Sequence, residues 1–303
     1  MRFTISAPPH KKTGLTVKNI MWSKVFALIP VSIISIYFFG LPALWILFAS
    51  VLAAVLAEYS IQKTFDQKIT IRDGNAVLIG LMLALIIPPE APFWIPIVGA
   101  AFAVIIGKHA FGGLGSYLFH PVLAAWIFLM IAWSEHMTPA SFPYADQITD
   151  IFLENAAGFL VEVSPIALIG GVYLILRRYL DWRIPLTFTF TIVLLALIFG
   201  ENLEYLVTGV LIFGILFIAT DPSTSPVTKQ GRIYYGILCG LLTFIYGYFS
   251  VNYGYAALYG IFLANCVTAF LERITFPKEY GTPSIFEKSY ITLKEKISNR
   301  GIK

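Results

Sequence analysis

The sequence predicts an all-α polytopic membrane protein of about ten transmembrane helices, arranged as two inverted five-helix repeats with broken or short helices. Composition is the first observation: of 303 residues, 58% are hydrophobic and 13% are charged, against roughly 25% charged in a soluble domain. The second is a succession of ten apolar segments along the chain. The third is a proline-interrupted pattern shared by two of these segments, one in each half, which is typical of transporter-like inverted repeats.

The first half of the chain contains five of the apolar segments. A basic, polar N-terminal arm, residues 1–21, precedes them and is expected to lie in the cytoplasm. The segments of this half, residues 22–133, are Trp22–Phe39, Pro42–Ile61, Ala76–Ile87, Phe93–Ile106 and Pro121–Trp133. Because a helix needs about 20 residues to cross a bilayer, we expect the shorter segments to be tilted, broken or re-entrant. Eight or nine spans with additional half-helices is the alternative that these lengths leave open.

The second half follows a polar loop, residues 134–164, that is expected to lie outside the cytoplasm. Within this loop, Ile148–Val163 has apolar residues at roughly helical spacing, which predicts an interfacial helix. The segments of the second half, residues 165–272, are Pro165–Leu176, Pro185–Phe199, Leu206–Ala219, Ile233–Phe249 and Tyr255–Leu271. A tail, residues 273–303, completes the chain and is expected in the cytoplasm.

The distribution of charge predicts the orientation. With the N-terminus in the cytoplasm and all ten segments crossing, every one of the 21 Lys and Arg residues falls on the inner side. The outer loops then hold acidic residues and no basic one, as the positive-inside rule requires. Both termini are therefore predicted to be cytoplasmic, and the net charge of +4 indicates topology and not a nucleic-acid partner.

The repeat is visible in two aligned stretches without a gap. Residues 80–92 read GLMLALIIPPEAP and residues 214–226 read GILFIATDPSTSP, with Gly, Pro and Pro at the same offsets. Because five helices per half is an odd number, the halves must have opposite orientation, so the first break faces outward and the second inward. Paired broken helices of this kind indicate the central site of a membrane protein.

Several polar residues lie near these breaks. Gly112, Gly113 and Gly115 would let backbone amides approach a phosphate, a carboxylate or a flavin edge, whereas the alternative is a tight inner turn with a snorkelling lysine at position 108. His120, at a helix entrance, is read from the residues alone as a hydrogen-bonded structural group. We expect Asp221 to have a functional role, and not only the role of a turn residue in Asp-Pro, because of its depth in the membrane and its place in the repeat.

The residues therefore predict one polar site shared by the two halves. Its expected members are Thr220, Asp221, Pro222 and Thr228 from one half and Gly112, Gly113 and His120 from the other. The alternative is that each cluster satisfies only its own helix ends. Glu58 is expected to snorkel, and an ion path is its alternative role. No metal site is predicted, because the cysteines at 239 and 266 have no metal-binding spacing.

Four stretches carry a resemblance to a known family. They are Ser6-Ala-Pro-Pro-His10, the run GKHAFGGLGSYLFHP from Gly107, Asp181-Trp-Arg-Ile-Pro185 and the run ATDPSTSPVTKQGR from Ala219. Together they resemble the family that comprises the D subunit of the Rnf complex and the B subunit of the sodium-pumping NADH:quinone reductase. The resemblance implies a subunit of an ion-translocating oxidoreductase in the cytoplasmic membrane, which passes electrons through flavin between ferredoxin and NAD and is coupled to Na+ or H+ movement. It also implies Rnf partners of the A, B, C, E and G types, with the lipid bilayer as surroundings.

The resemblance also implies functional residues. The candidates for flavin binding are Gly112, Gly113, Gly115, His120, Thr220, Asp221, Pro222 and Thr228, and the candidates for an ion path are Glu58 and Asp221. The expected cofactor is riboflavin or FMN, bound without a covalent bond. Two asparagines of the family pattern are replaced here by Tyr117 and His120.

Covalent FMN is expected to be absent. The family attaches FMN at the last Thr of an Asp-x-x-Ser/Thr-Gly-Ala-Thr motif, and the comparable run here is Asp146–Phe152. Phe152 stands where that Thr is needed and has no hydroxyl, while Thr138 and Thr149 lack small neighbours. A flavin-free transporter, channel or structural scaffold of the same fold is therefore the alternative function.

Overall fold

The computed structural model describes residues 16–138, 159–161, 166–201, 208–249 and 253–276. Within these residues the chain is helical and contains no β-strand. The helices of the first half are α1 (Val17–Phe39), α2 (Leu41–Thr64), α3 (Asn75–Leu85), α4 (Trp94–Phe102) and α5 (Pro121–Ala132). Those of the second half are α6 (Ile166–Leu176), α7 (Arg183–Phe199), α8 (Gly209–Phe213), α9 (Lys229–Phe249) and α10 (Tyr253–Thr275).

Shorter helical pieces complete the described fold. A π-helix, Ala103–Lys108, extends α4, and a second π-helix, Gly214–Ile218, extends α8. Two 3₁₀ turns, Ile71–Asp73 and His109–Phe111, and a four-residue helix, Ser134–Met137, lie in the links. π-helices are rare and occur often at functional sites, and here each one precedes a polar link.

The helix ends follow from local chemistry. The Thr16 side chain accepts a hydrogen bond from the Asn19 backbone N–H at 3.2 Å, so α1 begins at Val17 and extends into the predicted arm. At its other end, Gly40 adopts a φ of 68°, which ends α1, and Pro42 then occupies the first turn of α2. Pro121 starts α5 in the same way.

The fold is that of a polytopic membrane protein. Among the described residues, four helical stretches are long and apolar enough to cross a bilayer: Val17–Phe39, Leu41–Thr64, Trp94–Phe111 and Tyr255–Thr275. Shorter apolar helices are Asn75–Leu85, Pro121–Ala132, Arg183–Phe199 and Gly209–Ile218. Large apolar side chains such as Phe48 and Phe190 are exposed on the outer surface, as lipid contact requires. The count of ten crossings stays a prediction.

The first break lies in an apolar environment. After Leu85 the chain leaves the helix, and the fully buried Ile86 and Ile87 follow. The Val161 backbone N–H donates to the Leu85 carbonyl at 2.9 Å, which satisfies one orphan group of the α3 end. Residues 159–161 are thus buried and form no helix. The predicted interfacial helix is wrong for these three residues, and the rest of Ile148–Val163 lies outside the described residues.

The two halves of the chain pack against each other through their first helices and through their last helices. Helix α1 contacts α6, and α5 contacts α10. The Phe119 ring, in the link before α5, stacks on the Phe262 ring of α10 with centroids 4.8 Å apart. These contacts bring the link 109–120 of the first half to the second break, where the polar side chains lie.

Candidate functional site

A buried ion pair joins the two halves at the second break. The Lys24 Nζ atom on α1 lies 2.9 Å from Asp221 Oδ1, and the Lys24 side chain is 0% exposed. Asp221 is itself buried, with 3% of its surface exposed. Charges removed from water persist only when they are paired and hydrogen-bonded, so this pair fixes α1 against the loop that follows α8.

The Asp221 loop is a compact turn. Asp221 Oδ2 accepts a hydrogen bond from the Ser223 backbone N–H at 3.3 Å, and the Asp221 carbonyl accepts from the N–H groups of Thr224 and Ser225. Asp221 is therefore a turn residue as well as an ion-pair partner. The turn role that the sequence offered as the simpler alternative is present here, and the functional role of Asp221 stays a prediction.

Residues of the link before α5 surround this carboxylate. His120 is buried and lies in the neighbourhood of Asp221 and Lys24. Tyr117, also buried, interacts with Asp221, and its hydroxyl lies next to the side chains of Ser223 and Asn75. The structure thus brings His120 of one half to Asp221 of the other.

Four buried polar atoms in or beside this cluster have no hydrogen-bond partner among the described residues. They are Asn75 Oδ1, His120 Nδ1, Thr224 Oγ1 and Asn265 Nδ2. Buried polar atoms are usually paired, and unpaired ones at a functional site indicate a missing ligand or water. The cluster formed by Lys24, Asp221, His120, Tyr117 and Asn75 is called the central cluster below.

The link between α4 and α5 requires glycine at three positions because of its backbone angles. Gly112, Gly113 and Gly115 have φ values of 105°, 92° and 90°, a region that other residues rarely adopt. A Cβ atom on Gly113 or Gly115 would meet no atom within 4 Å. The backbone at these two positions is therefore open to an approaching group.

The other predicted residues of the second half have separate positions. The Thr220 hydroxyl donates to the Leu216 carbonyl, and the Thr228 hydroxyl is bonded to that of Thr275 and accepts from the Gly231 backbone N–H. Thr220 and Pro222 line a cavity of about 370 Å³ whose described walls include no residue of the 109–120 link. Thr220 and Thr228 thus bond groups at helix ends, and Thr228 also joins the start of α9 to α10; their part in a flavin site stays a prediction.

Glu58 does not snorkel. Its side chain is 0% exposed, and both carboxylate oxygens lie within 2.7 Å of Lys108 Nζ. Gln62 Nε2 donates to Glu58 Oε1 at 2.9 Å, and the Thr70 hydroxyl is 3.4 Å from the same atom. The expectation of snorkelling is wrong for Glu58, and Lys108 does not snorkel as the alternative reading had it, because the two side chains neutralise each other inside the protein.

Besides the Lys24–Asp221 and Glu58–Lys108 pairs, a third set of charged side chains lies in the wall of the cavity that Thr220 and Pro222 line. Asp181, in the link between α6 and α7, pairs with Arg183 Nη1 at 2.9 Å and with Arg232. Burial opposes ionisation of Asp181, but the hydrogen bonds from the Arg183 backbone and from Arg232 outweigh it and lower the pKa of the carboxyl below its usual value.

Sequence reasoning missed Lys24 and Tyr117 as members of the central cluster. Lys24 stands at the start of an apolar segment and was counted only as an inner basic residue. The available signal was a charge inside a segment that must cross lipid, which indicates function. Tyr117 was noted only as a departure from the family pattern.

Comparison with known proteins gives consistent results. Residues 4–281 match the model of the family described as NQR2, RnfD, RnfE. The D subunit of the ion-translocating oxidoreductase complex of Methanosarcina acetivorans is 54% identical over 280 residues, which cover 92% of this chain and 97% of that protein. The D subunit of the Na+-translocating ferredoxin:NAD+ oxidoreductase complex of Acetobacterium woodii is 36% identical, with 94% and 97% covered. The proton-translocating counterpart of Clostridium ljungdahlii is 32% identical, with 92% and 96% covered.

Proposed function

Since the chain belongs to the NQR2, RnfD, RnfE family, we propose that it is the D-type membrane subunit of an ion-translocating ferredoxin:NAD+ oxidoreductase complex. The observation that carries the proposal is the 54% identity to a D-type relative across 92% of the chain. The partners in this function are the other Rnf subunits, of the A, B, C, E and G types. One relative is named for Na+ and another for protons, so the proposal covers either ion.

The central cluster supports a role in ion movement. Asp221 is the better of the two ion-path candidates, because its ion-pair partner, Lys24, comes from the other half of the protein. A coupling cation could replace the Lys24 ammonium at this carboxylate without exposing a bare charge. Glu58, in contrast, is held by Lys108, Gln62 and Thr70, which favours a structural role.

A non-covalent flavin fits the residues on the link side of the central cluster. The unpartnered His120 Nδ1, Asn75 Oδ1 and Thr224 Oγ1 are buried groups that the polar edge of a flavin ring could satisfy. The open backbone at Gly113 and Gly115 would admit a ligand beside them. A bound flavin supplies one- and two-electron transfer, while these residues orient it and exclude water.

Covalent FMN is proposed to be absent, because Phe152 offers no hydroxyl; this position lies outside the described residues. The test is the intact mass of the chain after expression with the flavin-attaching enzyme, together with the flavin released by denaturation. We expect an unmodified mass and released flavin. An FMN adduct mapped to Thr138 or Thr149 would contradict the first expectation. A colourless protein without released flavin would favour the flavin-free transporter or scaffold.

The proposed arrangement is ten segments in two inverted halves, in the cytoplasmic membrane with both termini inside. Contacts between the first helices of each half, α1 and α6, and between the last, α5 and α10, support it. Equivalent elements that touch in this way are what a pseudo-two-fold axis produces. Among the described elements, a π-helix precedes the second break but not the first. The polar site would therefore belong to the second break and have no symmetric copy at the first.

The functional role of Asp221 is testable in the whole complex. In sealed inverted vesicles, Asp221→Asn should lower ion uptake driven by ferredoxin oxidation by about tenfold or more, since the carboxylate charge is lost from a buried path. Asp66→Asn is the matched control: it is the same chemical change at an exposed residue with a φ of 49°, which Asn tolerates. Normal uptake by Asp221→Asn in a correctly assembled complex would exclude this ion path.

A further inference from the structure

Two cavities meet at the end of α6 where the chain turns into α7. The first, the polar cavity, has a volume of about 370 Å³, and its walls carry Arg178, Asp181, Arg183 and Arg232. The second, the apolar groove, has a volume of about 520 Å³ and runs between α6, α7 and α8. Their lining residues are mostly different, but the two cavities share Ile175 and Trp182. The two cavities are therefore neighbours, with Ile175 and Trp182 between them.

The polar cavity has an excess of positive charge. Asp181 pairs with both Arg183 and Arg232, and the Arg232 Nε–H donates to the Pro226 carbonyl at 3.0 Å. The Arg178 side chain has no acidic partner among the described residues. In this part of the structure, three guanidinium groups thus face one carboxylate, and guanidinium donors remain for an anion. Arg is the side chain best suited to bind phosphate oxygens in two places at once.

The backbone at Arg178 is unusual and helps to place its charge. Arg178 adopts a φ of 60°, in the left-handed region that normally favours Gly or Asn at a helix end. It follows the last turn of α6, where the Tyr179 backbone N–H returns to the Leu174 carbonyl at 2.9 Å. A long cationic side chain at such a position costs backbone strain, and strain of this kind is concentrated at functional sites.

The apolar groove extends from this cavity towards the middle of the helices. Its walls include Val172 of α6, Phe190 of α7 and Ile215 of the π-helix after α8. Thr189 contributes a hydroxyl to a lining that is otherwise mostly apolar. Trp182 lies at the junction with the polar cavity, a position typical of tryptophan at the headgroup level of a membrane.

We propose that the polar cavity and the apolar groove together bind one anionic phospholipid, with its phosphate at Arg178, Arg183 and Arg232 and one acyl chain in the groove. Basic pockets between membrane helices at the cytoplasmic side are suited to anionic headgroups, and the groove provides the apolar surface that an acyl chain needs. A neutral amphiphile such as a quinone would leave the excess positive charge uncompensated. The lipid would hold the α6–α7 link against the Asp221 loop, because Thr220, Pro222 and Ser225 line the same cavity.

The test uses the full complex, purified in a mild detergent, with the bound phospholipid identified by native mass spectrometry. Vesicles of phosphatidylcholine alone, or of phosphatidylcholine with phosphatidylglycerol, then supply lipid to delipidated protein. We expect retention of the anionic lipid. Arg178→Asn keeps a residue that tolerates the left-handed backbone, and it should weaken binding of phosphatidylglycerol about fivefold, as removal of one near-surface charge predicts.

Two further variants make the outcome decisive. Arg177→Gln removes the neighbouring charge, which lines neither cavity, and should leave lipid binding unchanged. Thr189→Trp fills the groove without altering charge and should also weaken binding. If Thr189→Trp has no effect, or if inorganic phosphate displaces the lipid, the site binds a free anion and the proposal is wrong. It is equally wrong if the assembled complex retains no anionic lipid, or if Arg177→Gln and Arg178→Asn act alike.

Discussion

Lys24 and Asp221 form a pair whose two charges are both removed from water. Desolvation of two such ions costs several kcal/mol each, and the 2.9 Å contact between them offsets much of that cost. The pair therefore contributes less to stability than its short distance suggests. We expect its main contribution to be specificity of helix packing, since loss of either charge would leave the other buried and unpaired.

This asymmetry gives a prediction for stability. Lys24→Met or Asp221→Leu alone should destabilise the protein by about 3–5 kcal/mol, because each leaves an uncompensated buried charge. The double variant should recover most of the loss. Thermal unfolding of the purified chain in detergent measures all four proteins, and Arg177→Gln, which is exposed, serves as the control. Additive losses in the double variant would show that the two side chains do not interact.

At the residue scale, the sequence predicted the acidic member of this pair but not the basic one. Asp221 stands in a proline-rich break and resembles a family motif, whereas Lys24 lies 197 residues away in sequence. The same holds for Glu58 and Lys108, which are 50 residues apart. A pattern read along the chain shows a buried charge as an isolated feature. Its partner is fixed only by helix packing, so snorkelling was the wrong expectation for Glu58.

At the scale of elements, α9 illustrates how membrane helices pack closely. Gly236 and Gly240 lie one helical turn apart on the face that contacts α7, and a Cβ atom at either position would lie 2.9 Å from a backbone carbonyl of that helix. Small residues at this spacing let helix backbones approach each other in lipid. The close approach explains how van der Waals contacts between backbones hold α9 against α7.

Gly240→Ala should therefore destabilise the protein, since its methyl group would meet the Phe188 carbonyl at 2.9 Å and Thr191 Cβ at 2.8 Å. We expect a loss of about 1–3 kcal/mol, the range for overpacking. Ile237→Ala on the exposed face of the same helix is the control and should change the midpoint of thermal unfolding little. A Gly240→Ala protein with unchanged thermal unfolding would mean that α7 and α9 are less closely packed than described.

The elements were largely predictable from apolar runs, because each predicted apolar segment contains helix among its described residues. Hydrophobicity does not reveal the two π-helices, because the insertion of one residue in a turn leaves composition unchanged. It also fails for segment 159–161. Apolar residues at helical spacing predicted an interfacial helix, but Val161 instead bonds to the end of α3. That contact depends on a break in another helix.

At the scale of the whole molecule, polar side chains lie between the two buried ion pairs, Glu58–Lys108 and Lys24–Asp221. Asp73 interacts electrostatically with both Glu58 and Lys108, and Tyr117 interacts with both Asp73 and Asp221. These side chains connect the buried pair of the first half to the pair between the halves. Since Lys24 and Lys108 are buried and paired, the orientation argument depends on the other Lys and Arg residues.

Topology is the prediction on which the position of these charges depends. With all ten segments crossing, cysteines introduced at Asp146 should react with a membrane-impermeant reagent from outside, and those at Arg177 and Lys229 should not. The native Cys266 is exposed and is replaced by Ser in the background, whereas Cys239 is buried. Labelling of each site after permeabilisation is the control for reactivity.

Helix α8 with its π-helix extension spans only Gly209–Ile218, so it is the segment most able to turn back without crossing. In that case α7 would still cross, and position 229 would be labelled from outside while position 177 stayed protected. Protection of both 177 and 229 means an even number of crossings between them, as the ten-segment arrangement requires. Labelling of 229 but not of 177 would overturn that arrangement and with it the cytoplasmic position of the Asp221 loop.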